Sequence, residues 1–239
     1  MSGYDDLVAR ATADPAVVGL ILSGSRARGT AGPDSDHDVF VVVRERDGRW
    51  VTSLTPSLDA AVMTVDELAD VSDRWARYAY RGAVVLLDRL DGRIAALVAA
   101  QATLAPAEAD AFVREQLDGY INFVYRAAKS RRDGHDDLAR LDETEAGPWL
   151  LWTLFALHGR VRPYNKYLRW ELSRYPLPAP WTAERLIAEP ASAWFTDIER
   201  LARARGFGDV IDGWEDLGML RSRSSPGPAP ATPGGSQPR

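Results

Sequence analysis

The sequence predicts an α+β fold: a small strand-and-helix domain followed by a helical bundle. Three observations carry that prediction. Short β-branched apolar runs recur through the first hundred residues, separated by turn residues. From Pro106 onward the apolar residues fall at helical spacing instead. From about Arg221 the chain is Pro, Gly and Ser with almost no large apolar side chain, a composition that cannot offset the entropy of ordering. The expected division is therefore 1–104 for the first domain, 105–220 for the helical domain and 221–239 for a disordered tail.

Taken in order, residues 4–13 form a first helix, and the run Val17-Val18-Gly19-Leu20-Ile21-Leu22 is a buried strand ending at Ser23-Gly24-Ser25. Residues 38–43 make a second strand, and Asp47-Gly48 is a hairpin-type turn signal. Residues 58–63 make a third strand. Thr64 and Glu67 then have the spacing of a capping box at a helix start. Residues 83–87 make a fourth strand. Beyond Pro106, Val113, Leu117, Tyr120, Ile121, Val124 and Ala128 form one helical stripe. Leu138, Leu141, Trp149, Trp152 and Ala156 form another. Arg162-Pro163 opens a further helix, with Pro163 in its first turn.

Composition narrows the function. The chain has 239 residues, 46% hydrophobic and 26% charged, which is ordinary for a soluble globular protein. Its net charge of −5 argues against a general basic surface for nucleic acid. It contains no cysteine, which excludes disulfides and thiolate metal sites. The acidic start, Met1 to Asp6, lacks the regions of a signal peptide, and the longest apolar stretch, around Trp149 to Leu157, is too short for a bilayer. The expectation is a soluble cytoplasmic protein without a membrane partner.

The chemistry is concentrated in two stretches, Gly24-Ser25-Arg26-Ala27-Arg28-Gly29 and Ser35-Asp36-His37-Asp38. Residues two apart on a strand face the same side, so Asp36 and Asp38 point together while His37 points away. Two carboxylates on one side suit a hard divalent cation such as Mg²⁺, which takes oxygen ligands and substrate phosphates. Gly24 lets the backbone approach a phosphate, and Ser25 adds a hydroxyl donor. Asp59 is a charged residue inside an apolar strand, a costly position unless paired or metal-bound, and so is the natural third acid.

These residues resemble the catalytic core of the DNA polymerase β-like nucleotidyltransferase superfamily, over roughly residues 15–90. The motif is Gly-Ser, a spacer, Asp-x-Asp and a later third acid. Beyond the core, the stretches Phe155 to Arg160 and Arg162 to Leu168 are similar to the bacterial antibiotic nucleotidyltransferases, of aminoglycoside or lincosamide type. The resemblance implies a mixed sheet, two Mg²⁺ ions and transfer of a nucleoside monophosphate from an NTP, by default ATP, to a hydroxyl of a small acceptor. Pyrophosphate is released. It implies Asp36, Asp38 and Asp59 as metal ligands and Ser25, in the Ser35-to-Asp38 motif's partner loop, as a phosphate contact; Arg28 is a candidate phosphate clamp and Ser35 belongs to the same nucleotide-binding stretch.

The helical half offers further candidates. Glu145 occupies a slot on the second apolar stripe, where a desolvated carboxylate can serve as general base; Glu143 is the fallback. Only two of the 29 basic side chains are lysines, Lys129 and Lys166, each a candidate point charge for a triphosphate. The acidic run from Asp133 to Glu145 would attract a polyamine such as an aminoglycoside, or simply form a solvated helix face. A homodimer sharing its acceptor site would let Glu145 act across an interface. Two rival readings are a protein-directed nucleotidyltransferase of the antitoxin type, disfavoured by the long C-terminal half, and a non-catalytic nucleotide-binding module, disfavoured by the presence of all three acids.

Overall fold

The structure is a computed structural model that describes residues 3–221. The expected disordered tail thus lies, apart from Arg221, outside the described residues.

Helix α1 (Gly3–Ala13) leads into β1 (Val17–Leu22), the single turn α2 (Gly24–Ala27) and β2 (His37–Val43). Then come β3 (Ser53–Thr55), β4 (Leu58–Thr64), α3 (Val65–Ala69), a 3-10 turn Ala76–Tyr80, β5 (Val84–Asp88) and α4 (Arg93–Gln101). The sheet order is β3-β4-β2-β1-β5. Only β2 and β4 run parallel; β1–β2, β1–β5 and β3–β4 are antiparallel, so the sheet is mixed and the fold is α+β.

Alternation along the central strands sorts the core into two layers. Val39, Val41 and Val43 of β2 and Leu58, Ala60 and Val62 of β4 are buried on the face covered by Leu7 and Ala11 of α1. Val42 faces the other way, with Ile21, Leu68 of α3 and Ile94 of α4. The capping box is present: Thr64 accepts from Glu67 N at 3.2 Å, and the Glu67 carboxylate accepts from Thr64 N at 2.7 Å.

The Asp47-Gly48 signal does not close a hairpin. Gly48 does have a positive φ of +81°, but β2 pairs in parallel with β4, and the hairpin is β3–β4, turning at Pro56 and Ser57. The three-residue strand β3 is wholly exposed and carries no apolar periodicity, which is why the sequence did not reveal it.

Two long helices follow, α5 (Pro106–Arg132) and α6 (Asp136–Leu157), then a 3-10 turn Asn165–Tyr167 and α7 (Leu168–Arg174). Pro163 precedes rather than opens a helix, because the chain is extended or irregular until Asn165. The chain divides into two compact units, Met1–Phe112 with Phe155–Tyr175, and Val113–Leu154 with Pro176–Arg239. The stretch 155–175, which the sequence reading placed in the helical domain, therefore packs with the sheet.

In the second unit α6 runs unbroken through Pro148. Its buried face is Ala139, Ala146, Leu150 and Leu154, while Leu138 and Leu141 are 50% and 64% exposed. The expected stripe holds at its end, where Ala156 is buried, and fails at its start, where Ala139 rather than Leu138 or Leu141 packs inward. Glu145 is exposed, so the burial argument for it falls. Glu143 is occupied structurally: it accepts from Ser192 N at 2.6 Å and pairs with Arg131 at 2.8 Å. Asp133 and Asp142 pair with Arg132 and Arg126, which favours the solvated-face reading of the acidic run. Among the described residues, no helix is long and apolar enough to cross a membrane.

Candidate functional site

Asp38 and Asp59 are direct partners in the parallel register of β2 and β4. Partners in a parallel pair project to the same face, and Asp36, two residues before Asp38, joins them. All three line one cavity of about 410 Å³ in the first unit, together with Gly24, Arg28 and Lys166. The wall is completed by residues the sequence reading did not single out, among them Ser23, Phe40, Ala79, Tyr164 and Tyr167. Two of these, Tyr164 and Tyr167, sit beside Lys166 in a stretch that was already conspicuous, but nothing in the spacing said that it folds back onto the sheet.

Asp38 is the electrostatic centre of the group. Its pKa is raised above the ordinary carboxylate value of 3.8, first by desolvation and then by the negative charges of Asp36 and Asp59. Lys166 and Arg28 pull it the other way, more weakly. Gly24 has a φ of +64°, and a Cβ built on it would lie 1.6 Å from Asp38 Oδ2. What the missing side chain admits is thus the Asp38 carboxylate itself, a more local reason for glycine than the approach of a phosphate.

The loop carrying Asp36 is held from below. Arg26 Nε donates to the Asp36 carbonyl at 2.9 Å, and its Nη2 donates to the Ser35 carbonyl. The Ser35 hydroxyl accepts from Gly32 N at 3.0 Å, so its side chain shapes the turn. His37 stacks on Tyr4 with centroids 4.1 Å apart, away from the acids as the alternation predicts.

Arg28 is 7% exposed and boxed by aromatic rings. Its guanidinium carbon lies 4.4 Å from the Tyr167 centroid and 5.2 Å from that of Tyr78. Its Nη2 donates to the Tyr78 and Ala79 carbonyls at 2.8 and 3.2 Å. Ser25 is buried and does not line the cavity; its neighbour Ser23 does, with its hydroxyl donated to the Ala79 carbonyl at 2.5 Å. Lys129 on α5 and Glu145 on α6 are exposed and belong to the second unit.

Three carboxylates on one cavity wall, with Asp38 destabilised in its charged form by burial and then by the other two, are hard oxygen ligands of the kind a divalent cation takes. Among the described residues, however, no three His, Cys, Asp or Glu side chains converge closely enough to hold a metal as they stand. The residues fit a cation in kind and in strand placement.

Residues 8–121 match the family model described as the nucleotidyltransferase domain. No curated protein matches the chain in sequence. Among solved structures, the chain is similar to a nucleotidyltransferase-like protein from Exiguobacterium sibiricum 255-15, with 14% identity, a TM-score of 0.45, and coverage of 87% of this chain and 76% of that one.

Proposed function

We propose, from the premise that residues 8–121 form a nucleotidyltransferase domain, that the acid-lined cavity transfers a nucleoside monophosphate from an NTP to a hydroxyl of a small-molecule acceptor. The observation that carries this reading is the register pairing of Asp38 with Asp59, with Asp36 beside them on the same cavity wall. Domains of this family generally use an NTP and a divalent metal; here we assign two Mg²⁺ ions to Asp36, Asp38 and Asp59, and ATP as the donor. When bound, the metal neutralises phosphate charge and eases ionisation of the acceptor hydroxyl.

The chain's own groups do the rest. Asp36, Asp38 and Asp59 supply the ligand oxygens. Lys166 brings a compact positive charge to the same cavity, suited to the outer phosphates. Arg28 lines the same cavity; its Nη2 serves two carbonyls, while its buried Nε makes no hydrogen bond and is left as a donor for a phosphate. Gly24 leaves room for Asp38 to stand against the turn. An aminoglycoside-like antibiotic is the acceptor class we assign, on the similarity of the 155–168 stretch to that branch.

The test is pyrophosphate release by the full chain with Mg²⁺, each of the four NTPs and a panel of aminoglycosides and lincosamides, beside an Asp38→Asn variant. Acceptor-dependent release that the variant lacks is the expected result. Silence with metal-dependent NTP binding intact overturns the acceptor class. Silence without such binding overturns the enzyme reading.

A further inference from the structure

Glu171, on α7, is fully buried, and three side chains converge on it. Tyr78 Oη donates to it at 3.1 Å, Arg81 reaches it through Nη2 at 3.2 Å and Nε at 3.3 Å, and Arg160 bonds it through Nη2. Arg160 also donates through Nη1 to the Tyr175 carbonyl at 2.9 Å. All of these residues belong to the first unit. A buried ion cluster of this kind contributes little net stability, because removing charges from water costs about as much as their attraction returns. What such a cluster does provide is one permitted geometry.

That geometry concerns the cavity. Tyr78 and Arg81 come from the 3-10 turn at 76–80 and its end, and the carbonyls of Tyr78 and Ala79 in this turn hold Arg28 and Ser23. On the other side, Glu171 is five residues after Lys166 in a continuous helical stretch. A second set of contacts runs parallel to the first. Tyr167 lies under the Arg28 guanidinium, Trp170 Nε1 donates to the Arg28 carbonyl at 3.1 Å, and the Trp170 ring occupies the space where a Cβ on Gly82 would stand, 2.6 Å away. The stretch bearing Tyr164 and Lys166 is thus clamped onto the turn that forms the opposite wall.

We propose that Glu171 is a positioning residue: through α7 it sets where Lys166 stands in the cavity, and so sets the affinity of the site for the phosphates of a nucleoside triphosphate. This rests on the nucleotide reading given above. Nothing in the local sequence marks Glu171, which lies in an unremarkable polar-apolar alternation.

The test measures Mg²⁺-dependent binding of a fluorescent ATP analogue to the full chain, below the unfolding transition of every variant. Wild type is compared with Lys166→Met, Glu171→Gln and the double variant. Lys166→Met and Glu171→Gln should each weaken binding by about tenfold, the size of one lost charge-assisted contact. The double variant should bind no more weakly than the worse single one, because both act through the same contact. In turnover, Glu171→Gln should raise the nucleotide KM and leave kcat within about twofold. Wild-type affinity in Glu171→Gln, losses that multiply in the double variant, or a fall in kcat at unchanged KM would each overturn the proposal. If Glu171→Gln does not fold, Arg81→Met, which removes one partly exposed partner, carries the same expectations. A wild-type protein that binds no metal-nucleotide overturns the nucleotide reading and this inference with it.

Discussion

Asp38 and Asp59 face each other across the parallel pair β2–β4, held together by strand register rather than by a loop. Their mutual repulsion is therefore built into the sheet and cannot relax by a shift of register, while Asp36 joins them from a loop held by Arg26. The cavity wall stores an unfavourable charge arrangement that a cation would relieve.

The first prediction follows from the sign of the Asp38 shift. Its folded-state pKa lies above the ordinary 3.8, so the folded chain binds this proton more tightly than the unfolded chain. The resulting penalty is absent below about pH 4 and fully present once the pH exceeds the folded-state value. Asp38→Asn should accordingly raise the melting temperature of the metal-free protein at pH 7, and the gain should vanish near pH 4. Mg²⁺ should raise the melting temperature of wild type and not of the variant. A variant less stable than wild type at pH 7 would contradict the argument.

Gly24→Ala should be more damaging than any conservative change at the acids. It places a Cβ at 1.6 Å from Asp38 Oδ2 and requires a side chain at a φ of +64°. The backbone cost alone is about 1–2 kcal/mol, and the carboxylate must move as well. Chemical denaturation should show at least that loss, and Mg²⁺-dependent stabilisation should disappear even though all three acids remain.

Arg26→Lys tests the loop clamp. The Nε and Nη2 contacts to the Asp36 and Ser35 carbonyls need two donors at fixed spacing, which an ammonium cannot supply. Misplacing Asp36 should lower kcat/KM by roughly tenfold to a hundredfold, with a change in melting temperature too small to account for it. Activity equal to wild type would show that the loop holds without the clamp.

Much of this organisation was legible in the sequence, for identifiable reasons. Strands β1, β2, β4 and β5 announce themselves because each is a β-branched apolar run bounded by turn residues, and the Thr64–Glu67 box is a purely local signal. Asp36 and Asp38 stood out as an Asp-x-Asp pair with a ten-residue spacer after Gly-Ser, and Asp59 as a charge inside an apolar strand. What the sequence did not show is non-local. The return of 155–175 to the sheet depends on arginine contacts, Arg81 to the buried Glu171 and Arg28 to Tyr167, that resemble ordinary surface charges in a chain rich in arginine. The start of the α6 face was misread for the opposite reason: Leu138 and Leu141 dominated the pattern there while Ala139 and Ala146 are the buried residues.

Arg77 is a case of such a hidden arginine. It is 1% exposed and donates to the carbonyls of Gln101 at 3.0 Å, Ala100 at 3.2 Å and Thr103, while pairing with Glu108. Arg77→Met keeps the volume but strands these acceptors and the Glu108 carboxylate. The expected cost is about 3–5 kcal/mol, the range for breaking a buried pair from one side, read by denaturant unfolding. A loss below about 1 kcal/mol would place the group among surface pairs instead.

In the second unit, Gly119 separates two opposing expectations. A glycine-to-alanine change inside a helix ordinarily stabilises by about 1 kcal/mol. At position 119, however, a Cβ would lie 2.4 Å from two ring carbons of Trp149, with the Phe123 ring 6.1 Å from the same indole. The contact lies well inside van der Waals range, so the indole must shift to admit the methyl, and Gly119→Ala should destabilise, by about 1–3 kcal/mol. The cause can be isolated by pairing it with Trp149→Leu. Once the indole is gone the methyl fits, and in that background Gly119→Ala should stabilise, reversing its sign. If the change costs the same in both backgrounds, the clash with Trp149 is not what makes glycine necessary there.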